Sequence, residues 1–243
     1  MTALERLRKR LFPQAPQVNE PGGPADRAEE ETLRARLAED PNEVASFNRL
    51  AQIVASRAAE GHEGGDLQTE ADDAVWALAE EIAQSSRAWY PLIELARLSI
   101  DDDRDVALRR LSTAAERDAS GVALAQGLAM LRDAGHAVDA LNLGVGHWRP
   151  REHVVDAGRQ LVQAAVEAGR TGEARRHLDA LTEHPDQETV AAMREELEAR
   201  IALADEAVQA GQPAHFSPNT GVIDVSTTSR LRQLLRRGSE ASE

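Results

Sequence analysis

Apolar residues, mostly alanine and leucine, recur at steps of three and four along most of the chain, which predicts amphipathic helices. The sequence also repeats at a longer interval. Four alanines are spaced 33, 33 and 34 residues apart, and each is followed four residues later by another small or apolar residue: Ala74, Ala107, Ala140 and Ala174. A period of this length is typical of helical hairpins stacked side by side. The pattern therefore predicts an all-α chain of repeated helix pairs.

The repeat divides residues 42–184 into four predicted helix pairs. These are residues 42–59 with 69–85, 87–100 with 104–118, 121–134 with 136–144, and 151–168 with 171–184. A helix that begins near Asp26 precedes them, and Asp40-Pro41-Asn42 ends it because the residue before a proline leaves helical geometry. Gly135 and Gly169, 34 residues apart, mark the turns of the last two pairs.

A further apolar seam follows the fourth pair. Over residues 187–209 its members recur at steps of three and four: Val190, Met193, Leu197, Ile201, Ala204 and Val208. We interpret it as a capping helix on the last pair. The alternative is a coiled-coil dimer seam, which usually sustains its pattern over a longer stretch.

Several pairs carry residues of one repeat family at matching positions. The fourth pair has a leucine in its first helix, a glycine at the turn, and a small residue and two leucines in its second helix, at Leu161, Gly169, Ala174, Leu178 and Leu181. The second pair opens with Trp89-Tyr90-Pro91-Leu92, and the first contains Phe47, Leu50 and Ala51. Over residues 26–186 the chain resembles the tetratricopeptide repeat (TPR) family. It departs from that pattern at Gly127-Leu128 and in the long turn of the first pair.

The resemblance implies a right-handed superhelix of about four TPR-like helix-turn-helix repeats with a C-terminal capping helix. We expect four segments: a basic amphipathic helix with a linker at 1–25, the repeat array at 26–186, the capping helix at 187–211, and a tail with a short basic helix at 212–243.

The resemblance also implies a binding surface. TPR proteins usually bind an extended peptide in a concave groove lined by the first helix of each repeat. The matching positions here are Asn48, Gln52, Arg87, Tyr90, Glu94, Arg97, Arg132, Arg159 and Gln163. Four arginines on one face would suit a carboxylate-bearing segment, because the guanidinium group pairs bidentately with a carboxylate. The alternative is that these arginines are surface residues paired with nearby Asp and Glu.

Charge is distributed unevenly along the chain. The net charge is −14, but residues 1–12 carry +3 and residues 229–237 carry +4, so residues 13–228 carry −19. An acidic body repels phosphate backbones, so we expect no nucleic acid to bind the main domain. The basic ends could dock on this body, contact an anionic membrane surface, or remain frayed tails.

The sequence contains no recognisable catalytic set. Lys9 is the only lysine, so a phosphate-binding loop with lysine is excluded, and no Gly-x-Ser-x-Gly motif occurs. There is no cysteine and no apolar run of membrane-spanning length. His147 and His153 could bind a metal with Glu152, but histidines in a linker are more often solvated. We expect no catalytic residue, metal or cofactor.

These observations favour a cytoplasmic, non-enzymatic scaffold or adaptor that binds a peptide or protein segment, as a monomer or a homodimer. The alternative is a structural or assembly component that acts by dimerisation or membrane-surface contact through its terminal helices.

Overall fold

The computed structural model describes residues 24–60 and 67–210 of the chain. Within these ranges the chain forms ten α-helices and one short 3₁₀ turn, without a strand. The prediction of an all-α fold is confirmed for this part of the chain. The predicted helices at the two ends of the chain, the linker that precedes α1 and the Gly-rich turn of the first pair lie outside the described residues.

The helices follow one another with short connections. Their bounds are α1 Pro24–Glu39, α2 Val44–Glu60, α3 Leu67–Ala83, α4 Tyr90–Ser99, α5 Arg104–Arg117, α6 Val122–Asp133, α7 Ala137–His147, α8 Val155–Glu167, α9 Thr171–Ala180 and α10 Gln187–Gln209, with the 3₁₀ turn Leu181–Glu183 between α9 and α10.

Two first helices begin later than the sequence pattern predicts. Helix α4 begins at Tyr90 rather than residue 87, with Pro91 in its first turn, where a proline costs no helical hydrogen bond. Helix α8 begins at Val155 rather than residue 151. The backbone N–H of His153 donates to the Arg149 carbonyl (3.0 Å), so a separate turn occupies the preceding residues.

Each helix packs mainly on its neighbours in sequence. The pairs α2–α3, α4–α5, α6–α7 and α8–α9 are in contact, as predicted, and α1 lies against α2. The first helices α4, α6 and α8 also contact one another in succession, and α5 contacts α7. Helix α10 packs on α8 and α9, with its apolar seam buried at Val190, Leu197, Ile201 and Ala204. One continuous hydrophobic core therefore runs from Leu33 to Ala204.

Small residues allow the second helices to approach their neighbours closely. Ala107, Ala140 and Ala174 are fully buried, and each is the fourth residue of its helix, α5, α7 or α9. Ala74 differs: it is the eighth residue of α3 and only partly buried. Helix α3 has 17 residues, against 14, 11 and 10 in the other three, and it buries Val75 and Ala79 instead of Ala74.

Polar side chains tie successive pairs together. The Asn42 side-chain oxygen accepts hydrogen bonds from the backbone N–H groups of Trp89 (2.7 Å) and Tyr90 (3.0 Å), so a residue between α1 and α2 caps the start of α4. The guanidinium group of Arg117 donates to three carbonyls at the end of α3 and in the following turn, those of Ala83, Ser85 and Ala88. These contacts satisfy backbone groups that the helix ends leave unpaired.

The turns of the last two pairs have the same geometry. Gly135 and Gly169 have positive φ angles of 82° and 71°. After α8, the N–H of Arg170 donates to the Ala165 carbonyl (2.8 Å) and that of Gly169 to the Val166 carbonyl (2.9 Å), and the turn after α6 has the same two bonds. This is a Schellman motif, in which a left-handed residue ends the helix.

Two glycines three residues apart give a matched test of this turn. An added methyl group would meet no atom within 4 Å at either Gly169 or Gly172. Only Gly169 has a positive φ, so Gly169→Ala should lower the free energy of unfolding by about 1–2 kcal/mol. Gly172→Ala lies within α9 and should raise it by about 0.5–1 kcal/mol. Urea unfolding measures both changes, and effects of the same sign would contradict this account.

Candidate functional site

The nine residues predicted to line a groove occupy equivalent elements. Eight of them lie on the first helices α2, α4, α6 and α8, and Arg87 lies in the turn that precedes α4. The structure brings most of them together in pairs rather than in one open cluster. Burial and hydrogen bonding decide which of these side chains a ligand could reach.

Asn48 and Tyr90 join α2 to α4. The Tyr90 hydroxyl donates to the Asn48 side-chain oxygen (3.2 Å), and the Tyr90 ring packs edge-on against Phe47 with centroids 5.4 Å apart. Tyr90 is fully buried, whereas Asn48 and Gln52, one turn further along α2, are half-buried. Tyr90 thus supports the wall between the helices and is itself out of reach of a ligand.

Glu94 and Arg97 form an ion pair within α4. The Glu94 side chain is buried, and its carboxylate oxygen lies 3.5 Å from the Arg97 Nε. That separation is longer than a charge-assisted hydrogen bond, and the Arg97 Nε makes no hydrogen bond to the described residues. The Arg97 Nε is buried, whereas the Arg97 side chain as a whole is 23% exposed, so only part of this side chain is accessible to solvent and its charge is partly compensated by Glu94.

Arg132 is the centre of a buried polar network between α6 and α8. Its guanidinium group pairs bidentately with Glu167, with the Nε–Oε2 distance at 3.0 Å. Its Nη1 donates to the side-chain oxygens of Gln163 (2.8 Å) and Gln160. Arg132 is only 8% exposed. Both Arg132 and Gln163 therefore hold two first helices together, and neither presents its polar group to a ligand.

The remaining two arginines make contacts with the chain at its surface. Arg87 donates to the backbone carbonyl of Glu39 (3.1 Å), in the connection between α1 and α2. Arg159 donates through its Nε to the Asp156 carboxylate (2.7 Å) one turn earlier in α8. The alternative interpretation, surface arginines paired with nearby acids, therefore describes Arg159. Arg97 and Arg132 also pair with acidic side chains, but Arg132 is buried.

Sequence reasoning missed the residues that complete these contacts. Gln160 and Glu167, the partners of Arg132, were not selected, and neither was Asp156. The sequence did carry a signal for these partners, because Asp156, Gln160, Gln163 and Glu167 recur at steps of three and four and so form a polar stripe along one side of α8. The other sides of α8 are mostly buried.

The junction between α7 and α8 gathers several aromatic and imidazole side chains. His153 is buried, and a side chain at Gly121 would lie 2.5 Å from its Cβ, so the two segments are in close contact. The His153 carbonyl contacts the His184 Nε2 (3.0 Å), and the Trp148 ring packs edge-on against His177. Burial lowers the pKa of both His153 and His177; Arg149 adds to the effect at His153, while Glu173 opposes it at His177.

The described residues contain neither a candidate metal-binding group nor a candidate membrane-spanning helix. No group of three or more histidine or acidic side chains is placed to hold a metal ion there, so His147, Glu152 and His153 do not form such a group. None of the helices between residues 24 and 210 that the structure describes combines the length and apolar character needed to cross a membrane.

Comparison of the chain with protein-family models, with curated proteins and with solved structures found no match.

Removal of the buried Arg132 should destabilise the fold far more than removal of the exposed Arg159. Arg132→Leu leaves the Glu167 carboxylate, whose side chain is only 10% exposed, without its bidentate partner, so the free energy of unfolding should fall by about 3–5 kcal/mol. Arg159→Leu breaks a pair whose side chains are 39% and 45% exposed, and should cost about 0–1 kcal/mol. Denaturant unfolding of both variants measures these changes. Equal losses of unfolding free energy would show that the buried network stabilises the fold no more than the exposed ion pair does.

The buried histidines predict a pH-dependent stability. Since folding lowers the pKa of His153 and His177 below the ordinary 6.5, the unfolded chain binds protons more readily, and stability falls as the pH decreases below about 6.5. Carboxyl groups with lowered pKa, such as those of Glu30 and Asp186, act only below their ordinary values of 4.5 and 3.8.

Urea unfolding between pH 8 and pH 5 measures this dependence. His177→Gln should reduce the loss of stability between pH 6.5 and 5, while both proteins keep a constant stability between pH 7 and 8. An unchanged loss in the variant would contradict the assignment to His177.

Proposed function

We propose that the chain is a non-enzymatic scaffold or adaptor that binds an extended peptide or protein segment along the first helices of a TPR-like array. The observation that carries the proposal is the contact pattern. First helices touch first helices, and each pair rests on its neighbours in sequence. Stacked helical pairs form extended surfaces suited to a ligand chain and seldom form enclosed catalytic pockets. A right-handed superhelical arrangement of these pairs is part of the proposal.

The proposed binding surface is the accessible part of the predicted set. It consists of Asn48, Gln52, Arg87, Arg97 and Arg159. Tyr90, Glu94, Arg132 and Gln163 are buried and serve as its support. A surface whose backing is already fixed by hydrogen bonds loses little conformational freedom when it binds, which favours affinity.

Arg97 is the residue that best fits a ligand carboxylate. Its side chain is 23% exposed and its ion pair with Glu94 is long, at 3.5 Å. Because the Arg97 Nε itself is buried, a ligand carboxylate would contact the terminal nitrogens of the guanidinium group. Arg159 is also accessible, although a ligand would compete with Asp156 for it. The chain is strongly acidic overall, so long-range electrostatics disfavour a very acidic ligand. We therefore propose a segment that carries one carboxylate at the arginine contact and is neutral or basic elsewhere.

A displayed peptide library would identify ligands of the full-length protein, and each selected peptide would be compared as the free acid and as the amide. The free acid should bind, and loss of its carboxylate should weaken binding about 10–100-fold, the value of a charge-assisted hydrogen bond. Arg97→Glu and Arg159→Glu should weaken it by a similar factor. Fluorescence anisotropy measures the dissociation constants.

The matched control is Arg109→Glu, an exposed arginine on the second helix α5, which should leave binding unchanged. Circular dichroism of each variant confirms that it remains folded. The proposal fails if no peptide is selected, or if peptides bind the Arg97 and Arg159 variants as tightly as they bind the unmodified protein.

A further inference from the structure

Helices α9 and α10 form the walls of a cleft at the end of the array. They run antiparallel: Arg175 near the start of α9 pairs with Asp205 near the end of α10, and the Arg194 guanidinium donates to the Leu178 carbonyl (3.3 Å). The cleft between them has a volume of about 280 Å³. Its apolar lining residues are Leu178, Ile201 and Ala202. Asp179 and Glu198 contribute carboxylates, and Arg175 and Arg194 contribute guanidinium groups, with the Arg194 Nη1 lying 3.1 Å from the partly exposed Glu198 carboxylate.

The cleft lies where one more second helix would pack. In the third pair, α7 contacts both its own first helix α6 and the preceding second helix α5. A helix placed after α10 in the same way would contact α10 and α9, which are the two walls of the cleft. No helix of the described residues occupies that position.

The apolar seam of α10 also extends beyond its present cover. Ile201 is buried, but Val208, two turns later on the same side of the helix, is 52% exposed. The first turn of α9 lies beside Asp205 of the antiparallel α10, so α9 does not extend along α10 as far as Val208. An apolar side chain from another segment could cover this end of the seam.

The chain itself contains a segment of suitable chemistry beyond the described residues. Residues 229–237 place Leu231, Leu234 and Leu235 at helical spacing and carry a charge of +4 from four arginines. The part of the chain that forms the cleft, residues 171–209, contains ten acidic residues against four arginines, a net charge of −6. Opposite charges of this size favour association of the two.

The connecting chain is long enough for the segment to reach the cleft. Residues 211–228 provide 18 residues, which span up to about 60 Å when extended. Glu198 and Gln209 are 11 residues apart in α10, a distance of about 16 Å along the helix. The segment can therefore turn back along α10 without strain.

We propose that residues 229–237 bind in the cleft between α9 and α10 as a short helix and complete a fifth helix pair. The leucines of the segment cover Ala202 and Val208, and its arginines lie near Asp179 and Glu198. The inference rests on the end of the array alone and is independent of the ligand-binding surface on the first helices.

Engineered cysteines test the proposal in the full-length chain, which contains no cysteine of its own. Ala202→Cys combined with Leu234→Cys should form an intramolecular disulfide under mild oxidation, because the two side chains would be in contact. The controls pair Leu234→Cys with Ala199→Cys, at an exposed position on α10 outside the cleft, or with Ala38→Cys, in the cleft beside α1 at the other end of the array. Both controls should remain reduced.

Three results would overturn the proposal. One is the same rate of disulfide formation in all three pairs, which indicates random collisions of a tethered segment. Another is a disulfide that joins two chains and disappears on dilution, which indicates that a second copy supplies the segment. The third is a cleft pair that stays reduced like the controls.

Hydrogen exchange gives a second measurement that needs no cysteine. In the full-length chain, Leu231→Asp with Leu235→Asp should remove the apolar contact and increase amide exchange over residues 194–209 about tenfold or more. Gln233→Asp, at a position between the leucines on the other side of the predicted helix, should have little effect. Identical exchange in the unmodified chain and the double variant would show that the segment does not cover α10.

Discussion

Each helix of this chain can bury its apolar stripe only against helices close to it in sequence, and the rest of the structure depends on that constraint. Fully buried alanines at Ala107, Ala140 and Ala174 allow helix backbones to approach, while leucines such as Leu111 and Leu178 fill the space beside them. Burial of this kind adds up along the array, so stability is approximately a sum over neighbouring units. The continuous core from Leu33 to Ala204 is the product of these local contacts.

Polar contacts supply the orientation that apolar burial alone leaves undetermined. Asn42, Arg117 and Arg132 each connect one helix pair to the next, through backbone groups at helix ends or through the largely buried carboxylate of Glu167. Hydrogen bonds have directional requirements, so they fix how far one pair is rotated on its neighbour. The proposed binding surface uses what these contacts leave accessible, and its shape follows from the same geometry.

The helical periodicity predicted nearly all of the fold in the described region, because amphipathic helices carry their signal locally. It failed where length and burial depend on tertiary structure. Ala74 was assigned the position of Ala107 because their spacing matched, but α3 buries the neighbouring Val75 in its place. Arg132 was assigned to a ligand surface because its position matches a groove position of the TPR family, but its side chain is buried against Gln160, Gln163 and Glu167 of a different helix. A single sequence does not specify which helix supplies such partners.

The pattern of contacts also has a mechanical consequence. Within the described residues, extensive contacts join only helices that are adjacent or two apart in sequence. The short 3₁₀ turn contacts its neighbours α9 and α10, and no extensive contact joins α1 to α10. Tension applied to the two ends would therefore load every interface in series, and the weakest would yield first while the others stayed intact. Such a chain would lengthen in steps and would recover by re-forming one interface at a time.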